Sequence, residues 1–128
     1  MNEFKLIKLP VDLHKAPELR TIKHRNMSDL LASIHAELDG YMERVNTLAT
    51  LALADRDRSR LGIVMVVDED GVQKCKSVNF RASKFYGGTH DYIYGDVLFM
   101  AESWGPDGID FVTLPDYFTL EYFIAKLG

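Results

Sequence analysis

The sequence has a single cysteine, Cys75, and so can close no internal disulfide. A stapled secreted scaffold is excluded, and a reducing cytoplasm is the expected compartment. No apolar run reaches the ~18–20 residues that a membrane-spanning helix requires, so no membrane association is expected. The opening stretch MNEFKLIKLPVDLHK holds neither the apolar segment nor the small-residue cleavage site of a secretory signal. Four prolines and nine glycines, with 47% apolar and 27% charged residues, exclude a collagen-like fibre and a disordered chain. There is no internal repeat, no low-complexity tract and no linker, so 128 residues are expected to form a single domain, 1–128.

Recognisable chemistry is missing too. The sequence contains no Walker loop, no Gly-x-Gly-x-x-Gly and no Ser/His/Asp order. His14, His24 and His35 stand apart without metal-ligand spacing, so neither a metal nor a cofactor is expected. His90 and Asp91 are neighbours in a loop, where adjacent side chains seldom face each other. Cys75 lies between Lys74 and Lys76, whose charges would lower a thiol pKa. In the strand expected there, however, it points away from both lysines and reads as a small core residue. The sequence reads as non-enzymatic.

What is present is lopsided. The formal net charge of −4 divides into three parts. Residues 1–60 are near neutral. Residues 74–84 carry Lys74, Lys76, Arg81 and Lys84 with no acid. Residues 87–128 carry Asp91, Asp96, Glu102, Asp107, Asp110, Asp116 and Glu121 against Lys126 alone. The aromatic residues are concentrated as well: only Phe4 and Tyr41 fall outside the span from Phe80 to Phe123.

Periodicity predicts an α+β fold, with one mixed or mainly antiparallel sheet packed by two helices at about 27–39 and 115–127. Residues 3–9 and 18–24 read as strands parted by Pro10, Asp12 and Pro17. Asn26 is placed as a helix N-cap with Asp29 three residues on, and Leu30, Leu31, Ile34, Leu38 and Tyr41 form one buried face. Gly40 is expected to end that helix in the left-handed conformation. Residues 41–53 admit helix or strand; Val45, Thr47 and Thr50 favour strand. DRDRSR at 55–60 is a solvated loop. Residues 61–67 are apolar on both faces and predict a central strand. Asp70-Gly71 predicts a hairpin turn with a return strand at about 72–78. The stretch NFRASKFYGGTHD reads as a loop with Gly87-Gly88 at its tip. Residues 96–103 and 109–113 predict two more strands joined by the turn Gly105-Pro106-Asp107-Gly108. Pro115 and Asp116 suit a helix first turn, with Leu120, Phe123, Ile124 and Leu127 as its apolar face.

The succession LDGYMERVN, GIVMVVDEDGVQK, VNFRAS and IYGDVLFMAE resembles the domain of unknown function 3846 family, short proteins of phages, plasmids and integrated elements. The matching positions are Gly40, Tyr41 and Glu43; Asp68, Glu69 and Gly71; Asn79, Arg81 and Ala82; and Gly95. The resemblance covers roughly residues 18–114. It implies a mobile-element setting and names no activity.

Two candidate surfaces follow. Within residues 74–94, Asn79, Arg81 and Lys84 are interleaved with Tyr86 and Tyr92. Cations bind phosphate and aromatic faces stack on bases, so this segment suits a nucleotide or other small anionic ligand. The plainer reading is that the lysines protect an exposed edge strand and the aromatics alternate inward. The acidic last third offers Asp107, Asp110 and Glu121 as contacts for a basic protein partner. There the plainer reading is turn and helix-start chemistry. A protein partner is the leading expectation, the ligand is the alternative, and a self-complementary homodimer is a third. A net-acidic chain is not expected to bind nucleic acid strongly.

Overall fold

The computed structural model of the chain describes residues 1–54, 61–86 and 92–127, without the side chains of Leu48 and Tyr86. The DRDRSR run, the Gly87-Gly88 tip and the His90-Asp91 pair lie outside the described residues.

Two runs that are apolar on both faces make the centre of the fold. Strands β4 (Leu61–Asp68) and β5 (Val97–Gly105) pair antiparallel from Leu61↔Ser103 to Val66↔Leu98. Side chains alternate along a strand. Ile63, Met65, Val67, Val97, Phe99 and Ala101 therefore enter one apolar core, while Val64, Val66, Leu98 and Met100 enter a second on the opposite face. The strands expected at 61–67 and 96–103 are where the structure places them.

Around this pair stand β1 (Asn2–Leu9), β2 (Glu18–His24) and β3 (Met42–Val45), giving the order β2-β1-β5-β4-β3. A sixth strand, β6 (Gly108–Val112), forms a hairpin with the last part of β5. Every pairing is antiparallel. One edge of β5 is shared. Its residues 97–99 pair with β1, and its residues 101–105 pair with β6. The seam between β1 and β6 is closed by the Leu114 N–H donating to Lys5 O at 3.1 Å and the Lys5 N–H donating to Thr113 Oγ1 at 2.7 Å.

Helices cover both faces. Helix α1 (Met27–Leu38) lays Leu30, Ile34 and Leu38 on the second core. The first core is covered by short helices α2 (Leu48–Leu51) and α3 (Phe80–Ser83), a 3-10 turn at Lys84–Tyr86, and α4 (Leu120–Leu127). At its middle Phe99 meets Phe85 and Phe123, with ring centroids 5.4 and 4.8 Å apart. The architecture is α+β. Among the described residues no helix is long and apolar enough to cross a membrane.

Several expectations are corrected by local chemistry. Asn26 does cap α1, accepting the Asp29 N–H at 2.8 Å, but the left-handed residue at the other end is Asp39 (φ 54°), not Gly40. Residues 41–53 are both things: strand β3, then helix α2. Thr47 and Thr50 bond reciprocally, each hydroxyl accepting the other's backbone N–H, and so cap α2 instead of extending β3. No strand forms at 72–78, because β3 and β5 already occupy both edges of β4. The chain winds through turns there instead, with Lys74 N–H bonding Asp70 O and Lys76 N–H bonding Gly71 O; only Val78 bridges to Tyr94. Cys75 consequently is exposed, with φ 58°, and is not a core residue. The C-terminal helix starts at Leu120 and not at Pro115, since Thr119 Oγ1 accepts the Tyr122 N–H and caps it there.

Candidate functional site

The basic stretch at 74–84 is largely consumed inside the fold. Lys74 and Lys76 reach the C-terminal end of α1, where helix carbonyls carry a partial negative charge. Lys76 Nζ donates to Leu38 O and Asp39 O at 2.8 and 3.1 Å, and Lys74 Nζ donates to Asp39 O at 2.9 Å. Both ammonium groups also hold the buried Asp68 carboxylate, at 2.9 and 2.7 Å. Gly40 makes this clamp possible. A Cβ there would lie 2.4 Å from Asp68 Cγ.

Burial alone would raise the Asp68 pKa. Hydrogen bonds from Lys76, from the Asp70 N–H and from Lys74 outweigh it and hold Asp68 at about 2, below the ordinary 3.8. In return the Asp68 hydrogen bond raises the pKa of Lys74. A carboxyl with a depressed folded pKa stabilises the protein above its unfolded value and loses that contribution as pH falls through the folded one. Asp68→Asn should therefore be less stable at neutral pH and lose less stability than the parent between pH 3.8 and about 2. Urea unfolding across that interval measures both.

Asn79 and Arg81, expected at a ligand site, also serve the chain itself. Asn79 is fully buried: its Nδ2 donates to Leu9 O and Gly95 O, and its Oδ1 accepts the Ala82 N–H that caps α3. Arg81 Nη2 donates to Pro10 O and Asp12 O at 2.7 and 2.9 Å. Lys84 and Tyr92 are exposed, the side chain of Tyr86 lies outside the described residues, and Phe80 is exposed beside them. Of the five proposed ligand contacts, Asn79 thus has its amide committed within the chain, while Arg81 commits Nη2 to backbone carbonyls and keeps Nε buried with no partner among the described residues. His35, for its part, lies edge-on against Tyr41 at 5.2 Å.

A different constellation stands at the far end of the sheet. Glu102 is wholly buried in β5 and receives a bidentate pair from Arg44 on β3, Nε and Nη2 each at 2.6 Å. Fork-to-fork geometry of this kind is the strong form of the ion pair. Hydrogen bonding to Glu102 raises the Arg44 pKa, with burial opposing. Trp104, two residues on and so on the same face, donates its indole N–H to Glu102 Oε1 at 3.0 Å. Its ring lies over Gly62, where an added Cβ would come within 3.2 Å of Trp104 Cζ2. Trp104 pairs across the hairpin with Ile109, and the two are 53% and 51% exposed. Two large apolar side chains thus stand half in water on a hairpin whose base is fixed by a buried ion pair.

The acidic residues expected at a partner surface fall in two places. Asp107 is at the exposed tip of this hairpin, and exposed Asp110, paired with Ser103, faces away from Trp104. Glu121 is in the first turn of α4, beside a cleft of about 340 Å³ that Asp116, Lys5, Leu19 and Leu120 also line. Arg44, Glu102 and Trp104 were not anticipated. A signal did exist: Glu102 is the one charge in the run VLFMAES, and a carboxylate in a strand buried on both faces needs a partner. That the partner is Arg44 depends on the pairing of β3, β4 and β5, which no short motif encodes.

Neither a family model nor a curated protein matches the chain. Among solved structures it is similar to part of the crystal structure of small RNA methyltransferase HEN1, with a TM-score of 0.56 and 20% identity. The match takes in 90% of this chain and 15% of that one, so this chain spans a small fraction of its neighbour. At that identity the likeness concerns the fold alone.

Proposed function

We propose that the protein is a non-enzymatic binding module that docks a protein partner through the β5–β6 hairpin. One observation carries this reading: the cross-strand pair Trp104–Ile109, half exposed on a hairpin anchored by Glu102 and Arg44. Interface energy concentrates in a few rigid anchors, and tryptophan is the most enriched among them. The anchor is already held by its bond to Glu102, so little side-chain entropy is lost on docking. The matching surface is an apolar pocket rimmed by cations. Asp107 lies at the tip of the same hairpin, Asp110 lies on its other face, and no Lys or Arg occurs between residues 92 and 125. Such complementarity speeds encounter and selects the partner. The resemblance to phage and plasmid proteins supports a partner among host or element-encoded proteins. The nucleotide alternative has less support, because Asn79 is buried and Arg81 Nη2 is engaged by Pro10 O and Asp12 O.

Capture from a host lysate, compared between the parent and variants, tests this reading. Trp104→Ala and Ile109→Ala should each weaken capture about tenfold or more. Ile109→Ala leaves the Glu102 hydrogen bonds in place and so separates docking from folding. Capture that survives both substitutions would overturn the hairpin as the surface. Trp104 is the sole tryptophan, so its fluorescence also reports directly on contact. Concentration-dependent self-association abolished by Ile109→Ala would identify the partner as a second copy.

A further inference from the structure

A small cavity of about 140 Å³ opens at the end of β4 away from the hairpin. Val45, Val67 and Ile93 form apolar wall, and Tyr92 and Tyr94 add two aromatic side chains. Glu43 on β3 and Glu69 just after β4 bring negative charge. Both glutamates and Tyr92 are exposed, and neither glutamate makes an ion pair among the described residues. Asp68, also in the wall, is different: Lys74 and Lys76 already neutralise it. Among the described residues no Lys, Arg or His lines the space.

This lining discriminates among ligand classes. Unpaired carboxylates repel an anion. A hard metal ion needs converging oxygen ligands, but among the described residues no three His, Cys, Asp or Glu side chains come together to hold one. Apolar walls with two tyrosine side chains and carboxylates unpaired among the described residues instead suit a cation that carries its own methylene or methyl groups. The ring quadrupole attracts the charge, and the walls take the carbon. Size narrows the class further. Drug-sized pockets run to ~300–1,000 Å³, so this one accommodates a single head group and not a nucleoside. We infer that the cavity binds the ammonium head of an organic cation, quaternary or alkylated. This site is separate from the hairpin and stands whether or not the hairpin docks a protein.

Titration with choline, followed by the backbone amide NMR signals of Glu43, Glu69, Tyr92 and Tyr94, tests the inference. Choline should shift all four. Its neutral isostere 3,3-dimethylbutanol should bind at least about tenfold more weakly, since it lacks the charge that the rings and glutamates recognise. Tyr92→Leu, and separately the pair Glu43→Gln with Glu69→Gln, should each weaken choline about threefold to tenfold. These positions are exposed, so unchanged melting would confirm that the fold is intact. A second arm uses N-acetyl-trimethyllysine amide: tighter binding than choline assigns the cation to a modified polypeptide, weaker binding assigns it to a free small molecule. Equal binding of the alcohol and choline, or no shift with any cation, would overturn the site. The Trp104 signal is not read, so failure here is distinguishable from failure of the hairpin reading.

Discussion

Asn79→Ala should cost the fold about 3–5 kcal/mol, read as a lower urea midpoint at unchanged slope. The side chain is wholly buried and makes three hydrogen bonds. Its Nδ2 joins the end of β1, at Leu9 O, to the segment before β5, at Gly95 O, while its Oδ1 starts α3 by accepting the Ala82 N–H. Alanine would leave two carbonyls and one N–H without partners in a dry interior. Each such group costs about 1–3 kcal/mol. Asn79→Asp should be nearly as harmful, because a second carboxylate oxygen would face the two carbonyls. Arg81→Ala, which removes bonds nearer the surface, should cost only about 1 kcal/mol. A loss below about 1 kcal/mol for Asn79→Ala would show the amide to be dispensable and return it to the ligand question.

Gly40→Ala should destabilise by about 3 kcal/mol, more than a glycine at a helix end would suggest. The added methyl would stand 2.4 Å from both Asp68 Cγ and Asp68 Oδ1. That carboxylate cannot simply turn aside, since Lys74, Lys76 and the Asp70 N–H all bond to it. Relief requires either moving α1 off the sheet or breaking the clamp on its C-terminal carbonyls. Thermal melting measures the loss. Pairing Gly40→Ala with Asp68→Ala is the sharper test: with the carboxylate gone, most of the penalty of the glycine substitution should vanish, as expected for two groups in direct contact.

Gly40 also illustrates what the sequence could and could not reveal. A glycine after the apolar periodicity of LLASIHAEL marks the end of a helix, and α1 does end there. The reason was concealed, because the group that excludes a side chain arrives from Asp68, far along the chain. The same division runs through the molecule. Alternating apolar faces at 61–67 and 96–103 are local and intense, and they determine β4 and β5. Asp70-Gly71 does mark a turn, but whether the chain returns as a strand depends on whether an edge of β4 is free. Neither edge is. Thr47 and Thr50 carry strand propensity by composition and capping ability by spacing, and the second prevails. The basic stretch shows a related division. Lys74 and Lys76 read as solvent-facing charge until α1's carbonyls and Asp68 are brought against them. Asp107 and Asp110, by contrast, do lie on the β5–β6 hairpin that the turn at 105–108 predicts, although Trp104 on the same hairpin was not singled out.

The shared edge of β5 bears on how the chain reaches this structure. Its hairpin with β6 joins neighbours in sequence, and its pairing with β4 spans a moderate loop. Its contact with β1 links Ile7 to Phe99, across most of the chain. Closing so long a loop is entropically unfavourable until other contacts have shortened it. Refolding is therefore expected to be slow for the size of the protein, on the order of milliseconds to seconds, with the β1–β5 seam formed last. A ribosome making the chain would release β1 long before its partner, so the first strand waits beside β2 until residues 97–99 emerge.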